Sequence, residues 1–373
     1  MIYLDNNATT QPTPGVIAAT VAYLGECYAN ASASTAAFTG ADKPRREAAS
    51  AMMQVLHAEE PECIVFTSGA TESNNWVFAS AAEMHNGCRI IFSAIEHSSV
   101  SESATALMRK GFDVVELPVD KQGVVQLDAL TASISANTVL VSIMAANNET
   151  GVLQPIHEIG KILRQHNPAV LFHSDATQLI GKLPVDLHDS FQDVDLLSFS
   201  AHKFHGPKGV GGLYIRPGTE LLPLLRGGGQ ENGLRAGTTN TPGLAGMATA
   251  AAEIDLAGMR TFQLLRDDFE SKLLATVPDV VVHSQGAPRL PNTSCFSIPG
   301  ATGEDIAYRL AALGIIVGTG SACSSGAGHP PKTVLAMGVD YTLASGTIRI
   351  SADHRTSEED YATVIDALAK LLQ

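Results

Sequence analysis

Residues 195–212 read DLLSFSAHKFHGPKGVGG, and this stretch decides the fold class. It begins as an apolar strand over residues 196–199 and then passes through a histidine into Lys203 and a series of glycines. An amine at the end of a buried strand costs desolvation free energy unless it is paired or neutralised. The stretch therefore predicts a buried sheet with a lysine at its edge, and it indicates that this lysine takes part in chemistry.

The same pattern extends over residues 63–215, where short apolar runs alternate with stretches of helical period. The strand-like runs are CIVFTSG, RIIFSAIEH, DVVELPV, TVLVSIMAANN, VLFHSDATQ, LLSFSAHK and GGLYIRPG. Near-continuous apolar strands that alternate with helices indicate a mostly parallel sheet covered on both faces. We predict an α/β fold.

The pattern of apolar and polar residues changes after the glycine-rich segment 227–243. An Ala-rich helical stretch over about 243–276 leads into a second alternation of helices and short strands, and TSEE at 356–359 has the pattern of a capping box at the last helix. We predict a large cofactor-binding domain over residues 16–254. Residues 1–15 and 255–373 are predicted to form a smaller α+β domain.

The composition excludes some classes of partner. The 373 residues are 45% hydrophobic and carry a net charge of −14, which argues against nucleic acid or an anionic membrane as a partner. No signal peptide and no membrane-spanning run is evident. Five scattered cysteines without a CxxC spacing are typical of a reduced protein, so we expect a cytoplasmic location.

Polar residues follow five of the predicted strands. In mostly parallel sheets, ligands bind at the carboxyl ends of the strands, so these residues predict a site. They are Thr67-Ser68-Gly69, Glu96-His97, Asn147-Asn148-Glu149, the residues from Asp175 to Gln178, and Ser200, His202 and Lys203.

Lys203 has a well-defined chemical use at such a place, because an enclosed lysine amine forms a Schiff base with a carbonyl. A pyridoxal phosphate site needs a lysine, a carboxylate for the pyridinium nitrogen, and phosphate donors where a loop enters a helix. Asp175 follows an apolar strand, and residues 68–71 (SGAT) precede a helical pattern. These residues together favour pyridoxal 5′-phosphate as the cofactor.

Seven motifs occur in order: TSGATES, EH, NNETG, HSDATQ, SFSAHKFHGPKG, LRAGTTN and SACSSG. From residue 4 to residue 351 the chain resembles the cysteine desulfurase family, in the class V aminotransferase group of pyridoxal-phosphate enzymes. The resemblance implies an aspartate-aminotransferase-like fold with a large and a small domain. It also implies a transferase that removes sulfur from L-cysteine, gives L-alanine and works as a homodimer.

The resemblance also implies the roles of the cofactor-binding residues. Lys203 matches the lysine that binds the cofactor covalently, Asp175 the carboxylate on the pyridinium nitrogen, and Gln178 the amide on the phenolic oxygen. His97 matches the imidazole stacked on the ring, which acts as an acid or base. The implied phosphate cradle comprises Ala70, Thr71, Ser200, His202 and, from the partner subunit, Thr238.

Three further residues are implied to handle the substrate. Arg349 and Asn148, which is also expected to contact the cofactor, match the pair that receives the substrate carboxylate. Cys323 matches the cysteine that attacks the substrate sulfur, becomes a persulfide and passes it to a protein acceptor. Such sulfur mobilisation would serve an acceptor such as an iron–sulfur cluster scaffold. No metal site is expected.

The chain departs from the family pattern in two places. Residues 30–40 (NASASTAAFTG) carry no histidine where the family usually has one, and the chain ends at Gln373 without the longer tail by which housekeeping members dock a scaffold protein. The sequence therefore does not identify the acceptor.

Three other functions would use parts of the same pattern. His173-x-Asp175 and His202-x-x-His205 could serve as ligands in a metal hydrolase, although Lys203 would then have no role. An aminotransferase or a selenocysteine lyase would keep the cofactor, but transamination needs no thiol at Cys323. A non-catalytic sulfur carrier on this fold would not need the set of lysine, aspartate and histidine.

Overall fold

The computed structural model describes residues 1–320 and 329–372. Its strands are β1 (Ile2–Leu4), β2 (Ile64–Thr67), β3 (Arg89–Ser93), β4 (Asp113–Leu117), β5 (Thr138–Ser142), β6 (Leu171–Asp175), β7 (Leu196–Ser200), β8 (Gly211–Ile215), β9 (Val281–Val282), β10 (Thr293–Ser297), β11 (Ile315–Val317) and β12 (Thr347–Ser351).

The helices surround these strands, and three short 3₁₀ turns lie at Pro61–Cys63, Ala201–Lys203 and Gln230–Gly233. The α-helices are α1 (Pro14–Leu24), α2 (Ala36–Thr39), α3 (Lys43–Leu56), α4 (Ala70–Met84), α5 (Ser98–Arg109), α6 (Leu127–Ser133), α7 (Ile156–His166), α8 (Thr241–Ala252), α9 (Met259–Thr276), α10 (Gly303–Ala312), α11 (Lys332–Ala336), α12 (Tyr341–Ser345) and α13 (Glu358–Leu371). Among the described residues, none of these helices has both the length and the apolar character needed to span a bilayer.

A seven-stranded sheet in the order β2-β8-β7-β6-β5-β3-β4 forms the centre of the larger part. Only β8 runs antiparallel to its neighbours, so the predicted α/β fold with a mostly parallel sheet is confirmed. All five residues of β7 are buried, as are those of β8. The near-continuous apolar runs of the sequence arise because helices cover both faces of the sheet.

A second, smaller hydrophobic core lies in the C-terminal part of the chain. The antiparallel strands β12-β10-β9 and helices α9, α10 and α13 contribute to it, and Leu4 joins it from the N-terminus. Strand β1 pairs in parallel with β11, so the chain start is built into this part. The division of the chain into a large domain over residues 16–254 and a small domain over residues 1–15 and 255–373 stays a prediction.

The Ala-rich stretch predicted as one helix over about 243–276 is two helices, α8 and α9. The chain turns between them, where the Asp255 side chain accepts a hydrogen bond from the backbone N–H of Ala257. Such an aspartate turn competes with helical hydrogen bonding and interrupts the helix.

The last helix begins one residue later than the TSEE pattern suggests. Ser357 is the N-cap of α13, and it exchanges hydrogen bonds with Asp360 in a capping box. Thr356 is not the cap because its hydroxyl accepts a hydrogen bond from the backbone N–H of Asp353 in the preceding turn.

Candidate active site

A cavity of about 240 Å³ lies at the carboxyl ends of the central strands. All predicted site residues that the structure describes line it, except Thr238. Cys323 lies outside the described residues. The lining residues are Asn7, Ala8, Ala70, Thr71, His97, Met144, Ala146, Asn148, Asp175, Thr177, Gln178, Ser200, His202, Lys203 and Arg349.

Lys203 lies in the 3₁₀ turn that follows β7, and its side chain is half-buried. Its Nζ donates hydrogen bonds to the backbone carbonyls of Asn7, at 2.6 Å, and of Ala8, at 2.8 Å. These acceptors hold the amine at the cavity wall. They come from a segment nearly two hundred residues earlier in the chain, so no local pattern around Lys203 indicated them.

Asp175 ends β6, next to β7 in the sheet, and its side chain is buried. Oδ2 accepts a hydrogen bond from Asn74 Nδ2 at 2.7 Å, and Oδ1 accepts one from the backbone N–H of Thr177 at 2.9 Å. Both donors are neutral groups. The carboxylate therefore offers its negative charge to a cationic group in the cavity.

His97 precedes α5 and acts as its N-cap. Its Nδ1 accepts a hydrogen bond from the backbone N–H of Ser99 at 3.1 Å and lies 2.8 Å from Ser99 Oγ. Burial lowers the pKa of His97, which favours the neutral imidazole. Because Nδ1 accepts, this neutral ring carries its proton on Nε2.

The fully buried Asn74 on α4 links the histidine to the carboxylate. Its Nδ2 donates to Ser99 Oγ at 2.8 Å as well as to Asp175 Oδ2. The chain of contacts from His97 through Ser99 and Asn74 to Asp175 fixes the mutual positions of two predicted site residues.

Glu96 lies beside His97 and is buried. Its Oε1 accepts hydrogen bonds from Ser93 Oγ at 2.5 Å and from the backbone N–H of Met144 at 2.8 Å. Burial raises the pKa of Glu96 to about 8. The carboxyl group is therefore protonated at neutral pH and ties the end of β3 to the cavity wall at Met144.

We expect Glu96→Gln to change how stability depends on pH. Between the ordinary carboxyl pKa and about 8, folded wild-type protein holds a proton on Glu96 that the unfolded chain lacks, so its free energy of unfolding falls as pH rises. The glutamine variant has no such proton. Urea unfolding measures the free energy of unfolding of both proteins. The value for the variant minus that for wild type should therefore rise by roughly 2 kcal/mol from about pH 5.5 to about pH 7.5.

The exposed Glu62→Gln provides the matched control, and its stability should differ from that of wild type by the same amount at both pH values. An equally constant difference for Glu96→Gln would show that Glu96 ionises normally in the folded protein.

The start of α4 forms a cradle suited to an anion. Gly69 has a φ of 148°, which favours glycine, and the backbone N–H of Ala70 donates to Ser200 Oγ at 2.7 Å. A Cβ added at Gly211 would lie 2.7 Å from the Gly69 Cα, so the close approach of this loop to β8 requires glycine. The positive end of the helix dipole at α4 favours a phosphate group here.

His202 lines the same side of the cavity, and its Nδ1 lies 3.1 Å from Thr9 Oγ1. Burial, assisted by the positive charge of Lys203, lowers the pKa of His202 to about 4. The imidazole is therefore neutral, and its ring can take part in hydrogen bonds to an anion only through its single N–H.

Arg349 on β12 is 2% exposed and reaches the cavity from the smaller part of the fold. It donates to the backbone carbonyl of Asn148 at 2.8 Å and to Asp5 Oδ1 at 2.5 Å. Its Nε has no hydrogen-bond partner within residues 1–320 and 329–372. A Cβ at Gly318 would lie 2.7 Å from the guanidinium, so this glycine gives Arg349 its space.

Sequence reasoning missed several residues of the cavity wall: Asn7, Ala8, Met144 and Ala146. Thr177 lies in the predicted run from Asp175 to Gln178, but no role was predicted for it. Its buried Oγ1 has no hydrogen-bond partner in the part of the chain that the structure describes. Such an oxygen is suited to bind a polar ligand.

The metal-hydrolase alternative is not supported at His173, although another of its histidines, His205, belongs to a group of potential ligands. His173 is fully buried within the sheet, with Nδ1 2.8 Å from Ser142 Oγ and Nε2 2.9 Å from Ser198 Oγ. Both ring nitrogens are thus engaged by hydroxyl groups. A group of potential ligands does form elsewhere in the described ranges, and it consists of His205, Asp353 and His354.

Comparisons with known proteins agree with this geometry. The family model for aminotransferase class-V matches residues 2–364. A cysteine desulfurase of Cereibacter sphaeroides is 40% identical over 374 residues, which cover all of this chain and 95% of the relative.

Solved structures show the same likeness in three dimensions. A NifS-like protein superimposes with a TM-score of 0.91 at 38% identity, over all of this chain and 99% of the other. The structure of SspA in complex with cysteine matches with a TM-score of 0.83 at 31% identity, over 94% of this chain and 98% of the other.

Proposed function

Because the chain belongs to the cysteine desulfurases of the class-V aminotransferase family, we propose that it removes the sulfur of L-cysteine and transfers it through a persulfide on Cys323. The enzyme depends on pyridoxal 5′-phosphate, as this family does. The observation that carries the proposal is the single cavity that brings Lys203, Asp175 and His97 together with Arg349.

The groups that line the cavity fit pyridoxal phosphate. Lys203 would hold its carbonyl carbon, Asp175 its ring nitrogen and Gln178 its phenolic oxygen, and the unpartnered Thr177 Oγ1 adds a polar group. The bound cofactor supplies an electron sink for the electrons of the substrate α-carbon. Its phosphate would lie at the start of α4, among Ala70, Thr71, Ser200 and His202.

Arg349 and Asn148 would orient the substrate. A guanidinium binds a planar carboxylate with two parallel N–H donors, and the buried Arg349 Nε offers one that no described residue uses. The bond to Asp5 holds the guanidinium in place. Lys203 lines the same cavity, where its amine would move the α-proton of the substrate as a general base.

Sulfur transfer needs a thiolate and a proton source. The Cys323 thiolate attacks the substrate sulfur, the bond from that sulfur to the β-carbon breaks, and its electrons remain on carbon, which takes up protons to give L-alanine. Neutral His97 is a base, so it can take up the proton that a thiol loses and, as the imidazolium, return that proton to carbon. The role of Cys323 rests on the resemblance.

The function is tested by incubating the purified holoenzyme with L-cysteine and a reductant. We expect L-alanine and sulfide in equal amounts, because each attack on sulfur leaves one alanine and the reductant frees one sulfide from the persulfide. D-cysteine is the matched control, since its carboxylate and α-hydrogen cannot both meet their partners.

Other products would contradict the proposal. Formation of mercaptopyruvate without sulfide would make the enzyme an aminotransferase. Turnover of selenocysteine with none of cysteine would make it a selenocysteine lyase.

We also propose that the enzyme is a homodimer. Thr238 is exposed and does not line the cavity of its own chain. Its loop is held from both sides, since Arg45 binds Glu231 at 2.9 Å and Arg235 binds Glu72 at 2.8 Å. A rigid loop that presents Thr238 outward supports its predicted contact with the phosphate of a partner subunit.

Exposed apolar side chains on and after α1 supply the surface for such a dimer. Ile17, Val21 and Leu24 are 50%, 57% and 66% exposed, and their spacing puts them on one face of the helix. Tyr28 and Phe38 are more exposed still. A patch of this kind is typical of a protein–protein interface.

A protein that accepts sulfur, for example an iron–sulfur cluster scaffold, completes the proposal, because a persulfide is a transferable form of sulfur. The described cysteines Cys27, Cys63, Cys88 and Cys295 are all free thiols. Free thiols favour a reducing compartment, which supports the predicted cytoplasmic location.

A further inference from the structure

Lys182 is a buried basic residue that the mechanism above does not use. It follows β6 by seven residues, in the segment DATQLIGK, and its side chain is 6% exposed. Its Nζ donates to the backbone carbonyl of Gln178 and to Gln178 Oε1, both at 3.0 Å. Neither acceptor is a carboxylate. Burying an ammonium group on neutral acceptors is costly, so its presence calls for a reason.

The bond to Gln178 determines which end of the amide faces which neighbour. Oε1 accepts from Lys182, while Nε2 donates to the backbone carbonyl of Asn7 at 2.9 Å. An ammonium group has donors only. Rotation of the amide by half a turn would set the NH₂ donors against the ammonium and Oε1 against the Asn7 carbonyl.

The same carbonyl of Asn7 also accepts from Lys203 Nζ at 2.6 Å. A continuous row of hydrogen bonds thus runs from Lys182 through Gln178 and Asn7 to Lys203. Gln178 and Lys203 both line the cavity. The orientation set at Lys182 is therefore transmitted to groups that face the ligand.

We propose that Lys182 is a positioning residue, which holds the Gln178 amide with its NH₂ group towards the cofactor oxygen. The inference rests on the proposed function, in which Gln178 meets the phenolic oxygen of pyridoxal phosphate. An NH₂ donor stabilises the anionic form of that oxygen, whereas a flipped amide would present a second oxygen and repel it. Lys182 itself acts through Gln178 and touches neither cofactor nor substrate.

Both positively charged and acidic groups lie around Lys182. Burial, with the positive charges of Lys203 and Arg349, lowers the pKa of Lys182 to about 7. A second cavity of about 490 Å³, lined by both Lys182 and Lys203, also contains acidic side chains and imidazoles. They are the carboxylates of Glu253, Asp255 and Asp353 and the imidazoles of His205 and His354.

The test is a pH titration of the cofactor absorption band in the holoenzyme. Lys182→Met removes one of the two partners that orient the amide and leaves only the Asn7 carbonyl, so the flipped form becomes populated and the midpoint should rise by about one pH unit. Lys182→Gln, a polar variant chosen to keep the fold, can accept as well as donate and should also raise it. Lys182→Arg, again a donor only, should leave the midpoint unchanged, as should the control Lys161→Met at an exposed position of α7.

A double-mutant cycle separates positioning from a direct effect of charge. In a Gln178→Leu background there is no amide to orient, so Lys182→Met should add no further shift. An equal shift in both backgrounds would show that the charge of Lys182 acts directly, and the proposal would be overturned. An unmoved midpoint in both Lys182→Met and Lys182→Gln would overturn it as well.

The wild-type protein distinguishes this inference from the function on which it rests. If the wild-type holoenzyme shows the band and releases sulfur from cysteine, but the midpoint is unmoved in the variants, only the proposed role of Lys182 is wrong. A wild-type protein without the band removes the proposed function and the inference together.

Discussion

Replacement of Lys203 by alanine is expected to abolish sulfur release from L-cysteine, with a fall in rate of at least about 10³-fold. The variant loses both the amine that would bind the cofactor and the base that would move the α-proton. The characteristic absorption band of the lysine-bound cofactor should disappear at the same time. Absorbance spectra of the reconstituted protein and an alanine assay measure the two effects separately.

Lys208→Ala is the matched control, because it removes an exposed lysine from the same segment. It should keep both the band and the rate. If Lys203→Ala kept them too, the amine would have another purpose, and its bonds to the carbonyls of Asn7 and Ala8 would be its structural role.

Cys323→Ser is expected to separate binding from sulfur transfer. A serine hydroxyl is not ionised at neutral pH and is a weak nucleophile, so sulfide and alanine production should fall by at least about 10³-fold. Cofactor binding should persist, and L-cysteine should still change the absorption spectrum, because Lys203 and Arg349 are intact. Mass spectrometry after brief reaction should find one added sulfur atom on wild type and none on the variant.

Cys27→Ser, which alters a free thiol elsewhere, should behave like wild type. Sulfide production by Cys323→Ser at the wild-type rate would exclude the persulfide. The enzyme would then release sulfur by elimination, as a lyase does.

The sequence indicated the carboxyl ends of the strands as the place of the site, and the predicted site residues that the structure describes line one cavity, except Thr238. Asp175 and Lys203 follow neighbouring strands, β6 and β7, whose parallel pairing brings their ends to one edge. That edge was predictable because β7 is buried over its whole length and β6 over all but its first residue, and buried strands give apolar runs that any polar residue interrupts visibly.

Other contacts had no signal in the sequence. The acceptors of Lys203 are backbone carbonyls of Asn7 and Ala8, and a carbonyl is the same at every residue. The pair of Asp5 with Arg349 joins opposite ends of the chain, and neither residue lies in a periodic pattern that points to the other. The role of Lys182 depends on an amide orientation, which only the three-dimensional arrangement reveals.

The pairing of β1 with β11 determines the order in which parts of the chain can fold during synthesis on the ribosome. Residues 2–4 leave the exit tunnel long before their partner strand, residues 315–317, has been made. Domains generally fold from the N-terminus as they are synthesised, but here the leading segment must wait for the trailing one. Asn7 and Ala8, just after this segment, supply the carbonyls that hold Lys203, so a chain made only as far as the large sheet has an incomplete cavity, and catalytic competence arrives only after residues 315–317 and Arg349 have been made.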